Sequence, residues 1–284
     1  CIILKSDGAS LYSTTDLATL VMRMKENNPD RVIYLADARQ SMHFIQVFRC
    51  ARKTGIVPDT TELVHIGFGT MNGKDGKPFK TRDGGVMRLE YLLKEIDDEM
   101  LNKIKENQKE KENLNIDEAE AEQTAKTVAL AAVKYGDLSN QASKDYIFDI
   151  DRFTSFEGNT GPYILYTIVR IKSILSKYEA KGGDISALKD AIMPAVNAGQ
   201  KNLMLSLAKF NATIESAYEE SAPHKICAYI YELANAFNGF YHDTKILSEE
   251  NEELKKSYIS LLVLTKEILE ACIDMLGFSA PDRM

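Results

Sequence analysis

The sequence predicts an α/β region followed by an all-α region. Short β-branched runs alternate with helical stretches only in residues 1–85, as they do in a parallel α/β sheet. From Val86 onward, apolar residues recur at helical spacing through nearly all of the remaining sequence. The chain has 284 residues, of which 44% are hydrophobic, and this is enough for two packed cores. We therefore expect two domains.

Three strands and two helices are expected in the first region. The β-branched runs predict the strands, the first of them buried, and Pro or Gly residues mark where the helices end. Ser13 or Thr14 is the expected N-cap of the first helix. The expected strands are Ile2–Lys5, Arg31–Ala36 and Leu63–Gly67, and the expected helices are Asp16–Asn27 and Met42–Thr54.

Two helices of the second region have clear boundaries in the sequence. The turn residues of Glu157–Pro162 predict the tight start of one helix. Ser248 is the expected N-cap of the last helix, which has one apolar face and ends at Gly277. That apolar face should pack against a helical bundle.

The net charge argues against one class of nucleic-acid-binding protein. A formal charge of -7 does not suit a protein that coats nucleic acid without selectivity, because neutralising phosphates requires many Lys and Arg residues. Any contact with RNA should therefore come from local basic and aromatic patches. DNA is not an expected partner.

Cysteine usage and apolar runs indicate the cytoplasm. The four cysteines are scattered and form no C-x-x-C pair, so neither a zinc site nor a disulfide framework is indicated. No signal-peptide pattern is found, and charged residues interrupt the longest apolar-rich segment, so we expect no membrane contact. Because the chain starts at Cys1 with a strand-like run, we expect it to be a fragment of something longer.

A basic loop bounded by glycines follows the α/β region at Gly76–Gly85. Its cations Lys77, Lys80 and Arg82 suit the stabilisation of phosphate charge that develops during a reaction. A surface turn with incidental lysines explains the same residues equally well when the loop is considered alone.

Tyr12 and Asp16 have the chemistry to hold a planar cation. A guanidinium offers several N–H donors, so a carboxylate can accept two of them while a phenol oxygen accepts another. Considered alone, Asp16 is better explained as a residue of the first helical turn, where it completes a cap with Ser13.

Tyr163 and Tyr166 are candidates for contact with RNA. Single-stranded RNA loops are recognised by stacking their bases on aromatic rings. Helical periodicity alone favours the packed core of the bundle for both tyrosines.

Several motifs resemble those of the arginyl-tRNA synthetases, which are class I enzymes. They occur in order as SDGASLYSTTDLA at 6–18, ADARQSMHFIQVF at 36–48, HIGFGTMNGKDG before the basic loop, SKDYIFDIDRFTSFEGNTGPYILY at 143–166, LANAFNGFYHD at 233–243 and the final SAPDRM. The resemblance implies a partial Rossmann-like parallel sheet with a signature loop and connecting helices over 1–155. An α-helical bundle that binds the anticodon follows over 156–284. The N-terminal domain and the half of the catalytic domain with the HIGH motif would then lie outside this chain.

The resemblance also implies a function. A protein of this family activates arginine with ATP and transfers it to tRNA-Arg in protein synthesis. ATP with Mg²⁺ is then a substrate, and no bound prosthetic group is expected. The alternative is that this polypeptide, as an isolated fragment, is a catalytically inactive module that only binds tRNA.

Site residues carried over from the resemblance fall into three groups. Tyr12, Asp16 and Gln40 are expected to bind arginine. His43 is placed near ATP together with Lys77, Lys80 and Arg82, although a purely structural role for His43 is equally open. The residues expected around the anticodon are Tyr163, Tyr166, Asn235, Tyr241 and Met284.

The signature loop departs from the usual Lys-Met-Ser-Lys-Ser pattern. Thr81 stands where the second lysine is expected. Lys80, Arg82 or a lysine near the HIGH motif is expected to replace it. His65 imitates the start of the HIGH motif but lies too close to the loop, and we expect it to be structural.

Overall fold

A computed structural model describes residues 1–77, 88–110, 117–188 and 191–284. The chain forms two compact units. Unit 1 comprises Cys1–Met71 and Ala142–Tyr146, and unit 2 comprises Asn72–Gln141 and Ile147–Met284. Within the described ranges, no helix combines the length and the apolar character that crossing a membrane would require.

Unit 1 contains a two-stranded parallel sheet and two helices. Strand β1 (Arg31–Asp37) pairs with β2 (Glu62–Phe68) in a register that places Tyr34 opposite His65. Helices α1 (Tyr12–Glu26) and α2 (Ser41–Lys53) occur where the sequence predicted helices, with both bounds of each shifted. One core joins these elements, and it consists of Leu17, Leu20, Val32, Val47, Ala51 and Val57.

The predicted strand Ile2–Lys5 was wrong. Leu4 forms only an isolated bridge with Ser10, and the side chains of Ile2 and Leu4 are 68% and 58% exposed. In the part of the chain that the structure describes, no strand lies beside this segment to complete a ladder. The carbonyls of Ile2 and Ile3 instead accept hydrogen bonds from the hydroxyls of Ser13 and Thr14.

Helix α1 begins one turn earlier than predicted. Leu11 occupies the N-cap position, so Ser13 and Thr14 lie inside the first turn. The N-cap prediction was wrong. Thr14 is the third residue of the helix, and its Oγ1 accepts the backbone N–H of the N-cap residue Leu11 at 3.1 Å. Asp16 therefore lies beyond the first turn, and its carboxylate is not needed to start the helix.

Unit 2 is built almost entirely from helices. Two short strands, β3 (Met71–Asn72) and β4 (Tyr146–Ile147), form a second two-stranded sheet, and each strand has its first residue in unit 1 and its second in unit 2. The helices are α3 (Leu89–Glu110), α4 (Glu118–Leu138), α5 (Ile150–Phe153), α6 (Gly161–Glu179), α7 (Ala198–Ala208), α8 (Phe210–Glu219), α9 (Pro223–Asp243) and α10 (Glu252–Met275). The predicted fold class, an α/β region followed by a helical bundle, is confirmed.

The boundaries of α6 and α10 were predicted with different success. Thr160 caps α6 by accepting the N–H of Tyr163, with Pro162 in the first turn, as the turn residues predict. Asn251, and not Ser248, caps α10, because its side chain reaches two free N–H groups of the first turn. Ser248 ends a separate 3-10 turn.

Helices α4, α6 and α9 meet in the buried part of unit 2. The hydroxyl oxygen of Tyr135 on α4 lies 2.6 Å from Asn159 Oδ1. It also lies 2.8 Å from the carbonyl oxygen of Cys227 on α9. Gly161 lies so close to the backbone of Ala131 that a Cβ there would overlap its carbonyl. These contacts fix the start of α6, and the predicted RNA-binding tyrosines lie in the first two turns of this helix.

Candidate functional site

Asp16 of α1 and His43 of α2 form a hydrogen-bonded pair in unit 1. His43 Nε2 lies 2.6 Å from Asp16 Oδ2, and the two side chains are 32% and 28% exposed. Because an ionised carboxylate can only accept hydrogen bonds, Nε2 is the donor. The structure therefore places the carboxylate that was predicted to bind arginine against the first turn of α2.

Tyr12 and Gln40 lie on the same two elements as this pair. Tyr12 is one helical turn before Asp16 on α1, and it is 86% exposed. Gln40 is exposed and immediately precedes α2. Among the described residues, neither side chain has a hydrogen bond to Asp16. The grouping of Tyr12, Asp16 and Gln40 around one ligand stays a prediction.

A turn held by Asp37 and Arg39 leads to Gln40. Asp37 Oδ1 accepts the backbone N–H of Arg39 at 2.8 Å, and Arg39 Nη2 lies 2.6 Å from Oδ2. These hydrogen bonds from Arg39 lower the pKa of Asp37 to about 2. Sequence reasoning did not single out this pair, although an Asp side chain often accepts the backbone N–H two residues further on in a turn.

Gly67 of β2 lies close to the same turn. A Cβ on Gly67 would lie 2.9 Å from the Cα of Ala38, which is closer than side chains normally approach backbone. Glycine at this position therefore lets the turn that leads to Gln40 lie directly against the strand.

His65 is part of the packing of unit 1. Its ring stacks on Phe44 with 4.6 Å between the ring centres, and Phe44 is buried on α2. This packing supports the structural role that we expect for His65.

The start of the basic loop is described as far as Lys77. Lys77 is exposed, and its carbonyl accepts the N–H of Gly73 at 2.8 Å. Lys74, which sequence reasoning did not single out, is held by Asp149 at 3.0 Å and by Asp151 at 2.8 Å. Two of the predicted loop cations, Lys80 and Arg82, lie outside the described residues.

The predicted RNA-binding tyrosines of α6 lie beside α9 in unit 2. The Tyr163 hydroxyl lies 2.6 Å from Asn235 Oδ1 and accepts from Asn238 Nδ2 at 2.9 Å. Because the amide oxygen of Asn235 can only accept, the Tyr163 hydroxyl donates to it, and burial raises the pKa of this tyrosine. Two of the residues predicted to bind the anticodon are thus in direct contact.

Arg170 joins two further predicted residues to this group. Its guanidinium lies 4.7 Å from the ring centre of Tyr166 and 5.6 Å from that of Tyr241, and its Nη1 donates to Asn238 Oδ1 at 2.7 Å. Tyr241 also stacks on Phe237. We define the α6–α9 surface by the residues Tyr163, Tyr166, Arg170, Asn235, Asn238 and Tyr241.

This surface offers rings, amides and one guanidinium, which are the groups that stack on bases and bind their edges. Tyr163 and Tyr166 are half-buried at the edge of the bundle, whereas periodicity alone favoured its core. Asn235 and Tyr241 are exposed. The structure therefore brings four of the five predicted anticodon residues together.

Met284 follows a C-terminal segment that is held by two helices of unit 2. Lys172 on α6 lies 3.3 Å from Asp282, and Arg283 lies 2.7 Å from Glu120 on α4. Met284 itself is half-buried. Because Lys172 lies two residues after Arg170, this segment docks on the same helix as the α6–α9 surface.

Family models match both regions of the chain. Residues 1–150 match the model described as tRNA synthetases class I (R), catalytic domain. Residues 164–284 match the DALR anticodon binding domain. The fold and the matched models define part of a class I aminoacyl-tRNA synthetase. The chain belongs to the arginyl-tRNA synthetase family, as the motifs predicted.

Curated relatives match along the whole chain. It is 55% identical over 283 residues to the arginine–tRNA ligase of Alkaliphilus oremlandii (strain OhILAs), covering 100% of this chain and 47% of that protein. It is 44% identical over 285 residues to the arginine–tRNA ligase of Francisella tularensis subsp. tularensis (strain WY96-3418), again covering 47% of the relative. The chain thus spans about half the length of the curated relatives that it matches.

Solved structures show the same fold. The arginyl-tRNA synthetase from Plasmodium falciparum superposes with a TM-score of 0.82 at 28% identity, covering 99% of this chain and 46% of that one. The Thermus thermophilus arginyl-tRNA synthetase gives a TM-score of 0.81 at 23% identity, covering 100% and 51%. At that identity, the second likeness concerns the fold alone.

Proposed function

We propose that this chain forms the C-terminal half of an arginine–tRNA ligase, which activates arginine with ATP and transfers it to tRNA-Arg. The observation that carries the proposal is the 55% identity to an arginine–tRNA ligase, which extends over the whole chain. The family models also match the catalytic and anticodon-binding regions in the expected order. An inactive tRNA-binding module is less well supported, because the catalytic-domain match covers residues 1–150.

The arginine side chain is proposed to bind at Asp16. A guanidinium and a carboxylate form paired, charge-assisted hydrogen bonds, which is the strongest fit between this cation and any side chain. Tyr12, one turn away on α1, supplies a phenol oxygen, and Gln40 supplies a carboxamide oxygen that can accept a further N–H. A lysine side chain would leave part of this planar acceptor set unused.

ATP is proposed to react as its Mg²⁺ complex beside the basic loop. Lys77, Lys80 and Arg82 would stabilise the negative charge that moves onto the leaving phosphates. The described part of the loop is fixed at its base by Lys74, which pairs with Asp149 and Asp151. Lys77 is exposed at the start of the loop, which supports this role.

The anticodon of tRNA-Arg is proposed to bind at the α6–α9 surface, with Met284 nearby. Each base stacked on an aromatic ring contributes roughly 1–3 kcal/mol to binding. On this proposal, residues 1–155 carry the catalytic half and 156–284 the anticodon-binding domain. We further propose a cytoplasmic protein without membrane or DNA partners.

Aminoacylation with matched amino acids tests this function. The full-length protein should attach arginine to tRNA-Arg with ATP, and it should reject both lysine and citrulline. Citrulline is the sharper control because it keeps the shape of arginine but removes the positive charge that Asp16 pairs with. Equal charging with citrulline, or no charging with arginine, would contradict the proposal.

A further inference from the structure

We propose that His43 is a positioning residue of the arginine site, which orients the Asp16 carboxylate for the guanidinium. This inference rests on the proposed function and changes one of its details. The resemblance places His43 near ATP, whereas the structure pairs it with the residue that is proposed to bind arginine.

The hydrogen bond leaves Asp16 able to bind a cation. Nε2 of His43 donates a hydrogen bond to Oδ2 of Asp16 at 2.6 Å. Among the described residues, no donor reaches Oδ1, so this oxygen is available to a ligand. Each carboxylate oxygen can accept more than one hydrogen bond. A guanidinium can therefore approach Oδ1 and the remaining lone pair of Oδ2 while His43 stays in place.

Both partners are carried by helices that are packed firmly. Leu17 and Leu20, one and four residues after Asp16 on α1, are buried in the core of unit 1. Phe44, next to His43 on α2, is buried and stacked on His65. A binding group is effective when its supporting residues restrict its rotation before the ligand arrives. The His43 contact supplies this restriction for the Asp16 carboxylate.

The pair is not explained by stability. Both side chains are about one-third exposed, and ion pairs at such positions contribute little to the free energy of unfolding. Asp16 also plays no part in capping α1, since Thr14 and Leu11 complete the first turn. We therefore assign the contact between His43 and Asp16 to ligand binding.

Two variants of equal polarity separate the positioning role from other roles. In His43→Gln, the carboxamide Nε2 can replace the imidazole Nε2 as the donor to Asp16. In His43→Asn, the amide is one carbon shorter and cannot reach. Both should fold, because the site is half-exposed. His224→Ala, at a half-buried histidine of α9 without an assigned role, controls for loss of a histidine.

Steady-state aminoacylation by the full-length protein, with saturating tRNA-Arg, gives separate KM values for arginine and ATP. His43→Asn should raise the arginine KM roughly tenfold, as loss of a hydrogen bond to a charged group does, with little change in the ATP KM. His43→Gln should restore most of the arginine affinity, and His224→Ala should match the wild type.

Three results would overturn the inference. A rise in the ATP KM alone would assign His43 to ATP. A fall in the arginine KM would show that His43 competes with the guanidinium for Asp16. Equal kinetics for His43→Asn and the wild type would leave His43 without a function. A wild-type protein that does not charge tRNA-Arg with arginine would instead refute the proposed function.

Discussion

The guanidinium of Arg170 lies between the rings of Tyr166 and Tyr241, 4.7 Å from the centre of the first and 5.6 Å from that of the second. Tyr166 and Arg170 are one turn apart on α6, whereas Tyr241 comes from α9. Arg170 therefore links two of the three tyrosine rings of the α6–α9 surface, one from each helix.

Arg170→Ala should weaken the binding of tRNA-Arg. Removing the guanidinium takes away the cation that Tyr166 and Tyr241 share and leaves Asn238 without its donor, so we expect a loss of about 1–3 kcal/mol, the size of one lost stack. Filter binding at fixed salt measures the Kd. Lys177→Ala, which removes an exposed charge from the last turn of the same helix, should change the Kd much less. Equal losses in both variants would show that only charge matters.

Gly67→Ala should impair arginine binding through the turn that leads to Gln40. The new Cβ would lie 2.9 Å from Ala38 Cα, so the turn must move, at a cost of about 1–3 kcal/mol for overpacking. We expect a higher arginine KM and a lower Tm. Gly239→Ala is the matched control, because a Cβ there meets no atom within 4 Å. A Gly67→Ala variant with an unchanged arginine KM would show that the position of the turn is unimportant.

Arg39→Ala should return the pKa of Asp37 towards its ordinary value of 3.8. Because the pKa is lowered in the folded state, the stabilisation that Asp37 provides is complete above pH 3.8 and is lost as the pH falls through about 2. NMR titration of the Asp37 carboxyl carbon measures the shift directly. A pKa near 2 in the Arg39→Ala variant would contradict the assigned cause.

Asn251→Ala should destabilise unit 2 by about 1 kcal/mol, the typical cost of a lost N-cap. Ser248→Ala should have little effect, although Ser248 was the predicted cap. Urea denaturation compares the two free energies of unfolding. A larger effect of Ser248→Ala would reverse the observed assignment of the cap.

The sequence predicted those elements whose signals are local. Strands β1 and β2, helix α2 and the start of α6 follow from periodicity and from capping residues within a few positions. Thr160 and Pro162, for example, define the start of α6 by themselves. The sequence prediction named Ser248 and not Asn251 as the cap of α10; both residue types are good caps, and only the packed structure selects one.

Features that depend on distant residues could not be predicted in this way. The run Ile2–Lys5 has strand-forming residues, but a strand also needs a neighbour, and no described strand lies beside it. The pairing of His43 with Asp16 joins residues of two helices that meet only in the folded unit. Local patterns suggested that Asp16 forms a cap, and the motif resemblance alone pointed to arginine.

The central claim is that Asp16 binds the arginine guanidinium, and Asp16→Asn in the full-length protein tests it most directly. This change keeps the shape of the side chain but removes its charge. Arginine-dependent aminoacylation should fall by roughly tenfold to a hundredfold in kcat/KM, as when hydrogen bonds to a charged group are lost, while the Kd for tRNA-Arg stays unchanged. An Asp16→Asn protein that charges tRNA-Arg with wild-type kcat/KM for arginine would contradict the claim.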